Sequence, residues 1–367
     1  MAVHAAGGPG LRPRARRHRA GGAAGGGPER RGSRSGRRAE RARQRLAHRR
    51  QVPGRRPVHG LGGAEHGPDR RHVHTHHEGG RLAMARTRLG THIGVVVDDY
   101  RMDAADPGFR DFVMELLLQH KVVFFKSQHF SPATFTQMVG ALGNKEVHPF
   151  RTAGESEVIT GISPFQPYPE YPEITGLYHD EKTTGNLNSW HSDLNWREEP
   201  PFASVLRAVR IPPTGGDTCW ANMGKAYDSL SDSVKSELAE LRVVHDWVQI
   251  YRRAFKGRED MLREMQEKLP AQSHPLVMTH PLTGEKVLFS NKVSGVRIEG
   301  VGDEESRRIL DLVHRLAWRP EFQCRFRWEE GDVAIWDNLA TQHYAVSDYA
   351  PHVRKMERIT LEGMPIK

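Results

Sequence analysis

Only two cysteines, Cys219 and Cys324, occur among the 367 residues. That is too few for a disulfide framework and fits a reducing compartment, with both as buried thiols. No apolar run reaches the length that spans a bilayer, so the expectation is a cytoplasmic protein without a membrane span. Internal repeats are absent. No Gly-x-Gly-x-x-Gly lies between a strand and a helix, which disfavours a doubly wound nucleotide-binding sheet. The sharpest absence is local: from Met1 to Ala83 there is no Phe, Trp, Tyr, Ile, Lys or Cys.

That segment holds 20 arginines and 17 glycines against five acidic residues, a net +15. The other 284 residues carry 34 basic and 40 acidic side chains, a net −6, so the formal +9 of the chain belongs to the leader. A basic chain usually points to a nucleic-acid partner. Here the part able to fold is mildly acidic, and no such partner is expected for it. A segment so poor in apolar side chains cannot offset the entropy of ordering, so residues 1–83 read as a disordered leader and 84–367 as one domain. No apolar core follows the basic residues, which excludes a secretory signal. Few serines and no apolar stripe argue against a transit peptide, and the missing aromatics argue against an RNA-binding arm. The leader's residues are mostly those of GC-rich codons, and Glu78-Gly79-Gly80 could be encoded by a ribosome-binding sequence just ahead of Met84. Translation is therefore expected to start at Met84, which the mass of the native N-terminus would check.

Past Met84 the chain opens as α/β. Thr91 to Val97 reads as a strand, Phe109 to His120 as a helix with apolar Phe112, Val113, Leu116 and Leu117 on one face, and Lys121 to Phe125 as a buried strand. Ser131-Pro132 supplies an N-cap and a first-turn proline for a helix running to Gly143. A long Pro-, Gly- and Tyr-rich stretch follows to Ser189, the kind of loop that carries function. Strands are expected at Phe202–Val209 and Asp217–Ala221, then one helix over Gly224–Leu241 and an exposed, partly helical stretch over Arg252–Lys268. A hairpin joins Val277–His280 to Val287–Phe289 across a Pro-Leu-Thr-Gly turn. Helix Asp303–Trp318 precedes short strands at Gln323–Trp328, Val333–Trp336, Ala340–Val346 and Arg358–Leu361. Short strands with Gly/Pro turns and flanking helices point to a β-sandwich or jelly roll.

Chemistry enters at Trp190-His191-Ser192-Asp193. A histidine and an aspartate two apart on extended backbone point to one side. Together they can share a metal ion while leaving positions open. Two histidines and a carboxylate on one face are the usual cage for non-haem Fe(II). His343 stands out as the second histidine, just past a strand in Thr341-Gln342-His343-Tyr344. Arg354 and Arg358, an even number apart, would face one side of a strand. Buried arginines beside a metal need anions to compensate them, as a dicarboxylate cosubstrate and an anionic substrate would.

The motifs Trp190-His191-Ser192-Asp193, Gly215-Gly216-Asp217-Thr218, Trp336-Asp337-Asn338, Thr341-Gln342-His343-Tyr344-Ala345 and the Arg354/Arg358 pair, in this order and spacing, resemble the taurine dioxygenase family of Fe(II)- and 2-oxoglutarate-dependent enzymes. The resemblance covers roughly Thr87 to Leu361. It implies a mainly β, cupin-like double-stranded β-helix with flanking helices, and a homo-oligomer, dimer or tetramer. His191, Asp193 and His343 would be the iron ligands. Thr218 and Arg354 would hold 2-oxoglutarate, and His148 and Arg358 would meet an anionic substrate. Asn188 and Arg151 are further substrate-side candidates. The implied reaction is hydroxylation by O2 with succinate and CO2 as co-products, on a sulfonate or sulfate ester that then releases an aldehyde and sulfite or sulfate. Because Asp193 is present, oxygen transfer rather than halogenation is expected. The pocket departs from the taurine pattern: Arg151 stands where a tyrosine is expected, Leu187 where an asparagine is, and an aromatic is missing near Ser294. An alternative substrate is a carboxylate such as an aryloxyalkanoate or an amino acid derivative.

Three bland readings stand beside this one. His/Asp/His can hold zinc and a hydrolytic water, which would leave Arg354 without a role. A jelly-roll binding protein without dioxygenase activity would make no succinate. An RNA-binding leader on an inert domain would bind RNA in a salt-sensitive way. Trp190, Trp220 and Trp336 are expected to pack the core.

Overall fold

The computed structural model describes residues 85–152, 167–182 and 188–366, without the side chains of residues 151, 152 and 254. The leader, Met84 and the boundary expected after residue 83 lie outside the described residues. In chain order the strands are β1 (Arg86–Arg88), β2 (Val95–Val97), β3 (Val122–Phe125), β4 (Lys145–Glu146), β5 (Thr175–His179), β6 (Ala203–Arg210), β7 (Thr218–Asn222) and β8 (Arg242–His245). They continue as β9 (Gln272–Pro275), β10 (Val277–Thr279), β11 (Lys286–Leu288), β12 (Gly295–Ile298), β13 (Gln323–Phe326), β14 (Val333–Asp337), β15 (Thr341–Ala345) and β16 (Arg354–Leu361).

The main sheet runs β1-β2-β3-β14-β6-β16-β4, with β5 also paired to β16. A smaller sheet, β13-β7-β15, lies opposite it. Side-chain alternation along the strands assigns each residue to a layer. From the main sheet Val122, Phe124, Leu206, Ala334, Trp336 and Met356 point inward, where they meet Trp220, Cys324 and Phe326 of the smaller sheet. Phe124 stacks on Phe326 at 4.0 Å, and Trp220 meets both Phe124 and Trp336 edge-on. The alternate residues Val123, Phe125, Val205, Val333, Ile335 and Ile359 point the other way, onto helices Phe109–His120 and Pro132–Leu142. This is a double-stranded β-helix, or jelly roll, with helices on one outer face.

Several local expectations hold. Ser131 caps its helix by accepting from the Thr134 amide at 3.1 Å, with Pro132 in the first turn. The hairpin forms as β10 and β11. Others fail for readable reasons. The helix expected over Gly224–Leu241 is two helices, Met223–Asp228 and Asp232–Leu238, because Ser231 is a second N-cap and interrupts the first helix. The long loop before Ser189 contains β5, which pairs with β16 from Arg354 to Arg358. The Arg252–Lys268 stretch is not simply exposed: Phe255 and Met265 are buried against Trp196 and Trp247. Cys324 is buried as expected, whereas Cys219 is only half-buried. Among the described residues no helix is long and apolar enough to cross a membrane.

β16 joins the fold to the site. Arg354, Met356 and Arg358 alternate with outward residues and enter the space between the sheets, Met356 filling the core between two buried arginines.

Candidate active site

His191 and His343 are brought together by backbone pairing. The His191 amide donates to the His343 carbonyl at 3.0 Å and the His343 amide donates back at 2.7 Å, which sets the two rings 4.1 Å apart. Asp193 follows two residues later and turns to the same side. Ligand atoms from His191, Asp193 and His343 all lie within 4.8 Å of one another, and all three residues are buried.

Each donor is oriented. The ring of His191 lies with Nδ1 2.8 Å from the Ser189 carbonyl, so Nδ1 carries the proton and Nε2 keeps a lone pair. Ser204 donates to Oδ2 of Asp193 at 2.8 Å, leaving Oδ1 to face His343 Nε2 at 3.9 Å. The Asn338 side chain accepts the Asp193 amide at 2.7 Å and donates to its carbonyl at 2.8 Å. Arg358 Nη1 donates to Asp193 Oδ1.

Electrostatics favour a metal here. Burial alone would raise the Asp193 carboxyl, but Arg358 and the two imidazoles outweigh it and hold it well below the usual carboxylate range. Burial, with the neighbouring His191, pushes His343 down to about 3, and burial also lowers His191. Two neutral imidazoles and one ionised carboxylate are the donor set a divalent ion requires. Nδ1 of His343 is buried with no hydrogen-bond partner in the described structure, so the ring's position is fixed by packing on Trp336, 5.0 Å away.

Between the two sheets, Thr218 of β7 accepts from Trp328 Nε1 at 3.0 Å and faces Arg354 Nη2 at 3.5 Å. Arg354 Nε donates to the Gly216 carbonyl at 3.1 Å, and its guanidinium lies 5.8 Å from the Tyr349 ring centre. Gly216 has φ +72°, and a Cβ there would come within 3.1 Å of the arginine side chain, so glycine is required. Among the described residues no carboxylate forms an ion pair with Arg354, and burial pulls the guanidinium below its ordinary value. A bound anion would compensate a buried cation that has no acid partner.

An open cavity adjoins the triad. His191, Asp193, His148 and Arg358 line it together with apolar Leu177, Leu194, Ile250 and Val293, and with Trp196, Tyr251, Asn195 and Ser294. Arg358 Nε is buried and lacks a hydrogen-bond partner. Of the remaining candidates, Asn188 is exposed and not part of this lining. The Arg151 side chain and Leu187 lie outside the described residues. Ser204 and Asn338 were not singled out from sequence, although Asn338 sits inside the quoted Trp-Asp-Asn motif. Tyr251 was missed as well. It ends the short helix Val248–Tyr251, just ahead of the Arg252–Lys268 stretch, and burial pushes its phenol up to about 12.

Comparison with known proteins agrees with this geometry. The profile of the family "Taurine catabolism dioxygenase TauD, TfdA family" matches residues 85–360. The chain is 32% identical over 292 residues, 77% of this chain and 85% of the relative, to an alkylsulfatase of Acinetobacter baylyi. It is 33% identical over 286 residues, 75% and 87% of the two chains, to an alpha-ketoglutarate-dependent sulfate ester dioxygenase of Pseudomonas putida. Among solved structures, a taurine dioxygenase from Burkholderia xenovorans superposes with a TM-score of 0.63 at 30% identity, covering 77% of this chain and 92% of that one.

Proposed function

The chain belongs to the taurine catabolism dioxygenase TauD, TfdA family, and we propose that it acts on a small organic sulfate ester held by His148 and Arg358. It is an Fe(II)- and 2-oxoglutarate-dependent dioxygenase. In this reading His191, Asp193 and His343 hold the iron, and Thr218 with Arg354 holds the far carboxylate of 2-oxoglutarate. When bound, the iron and 2-oxoglutarate supply oxygen activation, with succinate and CO2 as co-products.

The chain's own residues then do the positioning. Arg358 gives the observation that carries the proposal: a buried guanidinium facing the cavity with its Nε unsatisfied. A tetrahedral oxyanion, with oxygens in several directions, can accept that N–H while Arg358 stays on Asp193. Leu177, Ile250 and Val293 offer an apolar wall to an alkyl body and keep water from it. The head group's anchor lies beside the metal ligand Asp193, which puts the carbon next to the ester oxygen at the reacting end. Hydroxylation there gives a carbon bearing both OH and sulfate. Its O–H bond breaks, the carbonyl forms, and hydrogen sulfate leaves with the C–O pair.

The test is an aerobic panel of straight-chain alkyl sulfates, alkyl sulfonates and aryloxyalkanoates, with Fe(II) and 2-oxoglutarate, reading succinate and inorganic sulfate. Alkyl sulfates are expected to give equimolar succinate and sulfate, and an Arg358→Gln variant to raise KM about 10-fold or more. Succinate formation driven by the carboxylates alone would overturn the sulfate ester assignment and leave the cosubstrate reading intact.

A further inference from the structure

We propose that His280 is a positioning residue for the metal-binding carboxylate, acting through Asp337 and Asn338. This rests on the reading of Asp193 as a metal ligand. His280 follows β10 in a hairpin remote in sequence from every ligand. Its Nδ1 accepts the backbone amides of Leu282 at 3.3 Å and Thr283 at 3.2 Å, so the proton resides on Nε2. Nε2 points at Asp337, 3.3 Å from Oδ1 and 3.0 Å from Oδ2. Both side chains are fully buried. His280 is the one side chain within hydrogen-bond or ion-pair reach of the Asp337 carboxylate among the described residues.

Asp337 closes the turn between β14 and β15. Its Oδ1 accepts the amides of Leu339 at 3.1 Å and Ala340 at 3.0 Å, and its carbonyl accepts the Thr341 hydroxyl at 2.7 Å. That turn presents Asn338, whose amide side chain grips both backbone groups of Asp193 and also donates to the Pro201 carbonyl at 3.0 Å. The same turn starts β15, which carries His343 two residues later, and Ser192 donates to the Thr341 carbonyl at 2.8 Å. One buried imidazole therefore fixes the turn on which two of the three ligand positions depend. Partners one shell beyond the ligands commonly set metal affinity and ligand orientation.

The test uses the full chain and Mn(II), titrated by electron paramagnetic resonance in the absence of substrate. His280→Asn keeps an acceptor for the two backbone amides and is too short to reach Asp337; it is expected to weaken Mn(II) binding about 10-fold. His280→Gln, whose amide N–H reaches further, is expected to restore affinity to within about 3-fold. Val277→Ala removes buried volume from the same hairpin and serves as a stability control; it is expected to lower the melting temperature without changing Mn(II) affinity. Asp193→Ala tests the premise. If it binds Mn(II) as the wild type does, the ligand assignment has failed. If Asp193→Ala loses the metal while His280→Asn keeps wild-type affinity, or Val277→Ala weakens binding as much as His280→Asn, the relay is refuted. Should His280→Asn not fold, Asn338→Ala must show the affinity loss with its fold intact; wild-type affinity there refutes the relay at its last link.

Discussion

An Asp193→Ala enzyme is expected to show no visible charge-transfer band at Fe(II) and 2-oxoglutarate concentrations that saturate the wild type under anaerobic conditions. Changing a partner one shell out already costs 10–100-fold in metal affinity, so losing a ligand is expected to cost at least about 100-fold. The local structure explains why no neighbour can substitute. His191 and His343 are held in place by their mutual backbone pairing and cannot swing to a new geometry. Ser204 and Asn338 lie around Asp193 as its hydrogen-bond partners and are not aimed to replace its Oδ1. Arg358 is the further consequence. It donates to Asp193 and is itself buried, so truncating the carboxylate strands a guanidinium in the interior. Breaking a buried pair from one side typically costs about 3–5 kcal/mol. The metal-free variant should therefore also melt below the metal-free wild type. A variant that kept the band at the wild-type Fe(II) requirement would remove Asp193 from the ligand set.

The parts of this site that could be read from sequence are those encoded by short-range geometry. His191-x-Asp193 is visible because parity on extended backbone decides which side a residue faces, and Arg354 and Arg358 obey the same parity along β16. The jelly roll is legible in outline from short strands separated by turns, and its interior from Phe124, Trp220 and Trp336. What could not be read comes from pairing at long range. β5 lies in a stretch rich in proline and glycine and becomes a strand only because β16 offers it an edge. Tyr251 lines the cavity although nothing near it in sequence marks a pocket, and Ser294 was placed there only by the family resemblance. Ser294 is held there by donating to Asn195 at 2.6 Å, and both contact a His245 that burial pushes down to about 3. The helix break at Ser231 was legible in principle, since a serine followed by an aspartate is an N-cap signal, but the apolar positions on either side obscured it.

The second large effect is at Arg354, where function and stability should move in opposite directions. Arg354→Met keeps an unbranched side chain of similar reach and deletes the charge. Without cosubstrate, the wild-type guanidinium is buried with one backbone carbonyl, a long contact to Thr218 and the Tyr349 ring around it, and no carboxylate in ion-pair range among the described residues. That is a cation stripped of water with incomplete compensation, and replacing such a charge by an apolar group is often neutral or stabilising by about 1–4 kcal/mol. The melting temperature of the variant, measured without metal or 2-oxoglutarate, is expected to equal or exceed the wild type, by about 2–4 °C for each kcal/mol recovered. Binding should show the reverse. A dicarboxylate docking at Arg354 would supply the missing anion, and truncating one partner of a buried, hydrogen-bonded charge pair typically costs about 2–5 kcal/mol. Calorimetric titration of the Mn(II)-loaded protein with 2-oxoglutarate is then expected to show affinity about 30- to 4,000-fold weaker. Arg354→Lys should fall between, because an ammonium supplies the charge but cannot pair two oxygens from one plane. A purely structural arginine predicts the opposite pairing: a lower melting temperature and unchanged 2-oxoglutarate affinity. Finding that combination in Arg354→Met would remove Arg354 from the cosubstrate site. It would also take away the feature that separates this triad from a hydrolytic metal site.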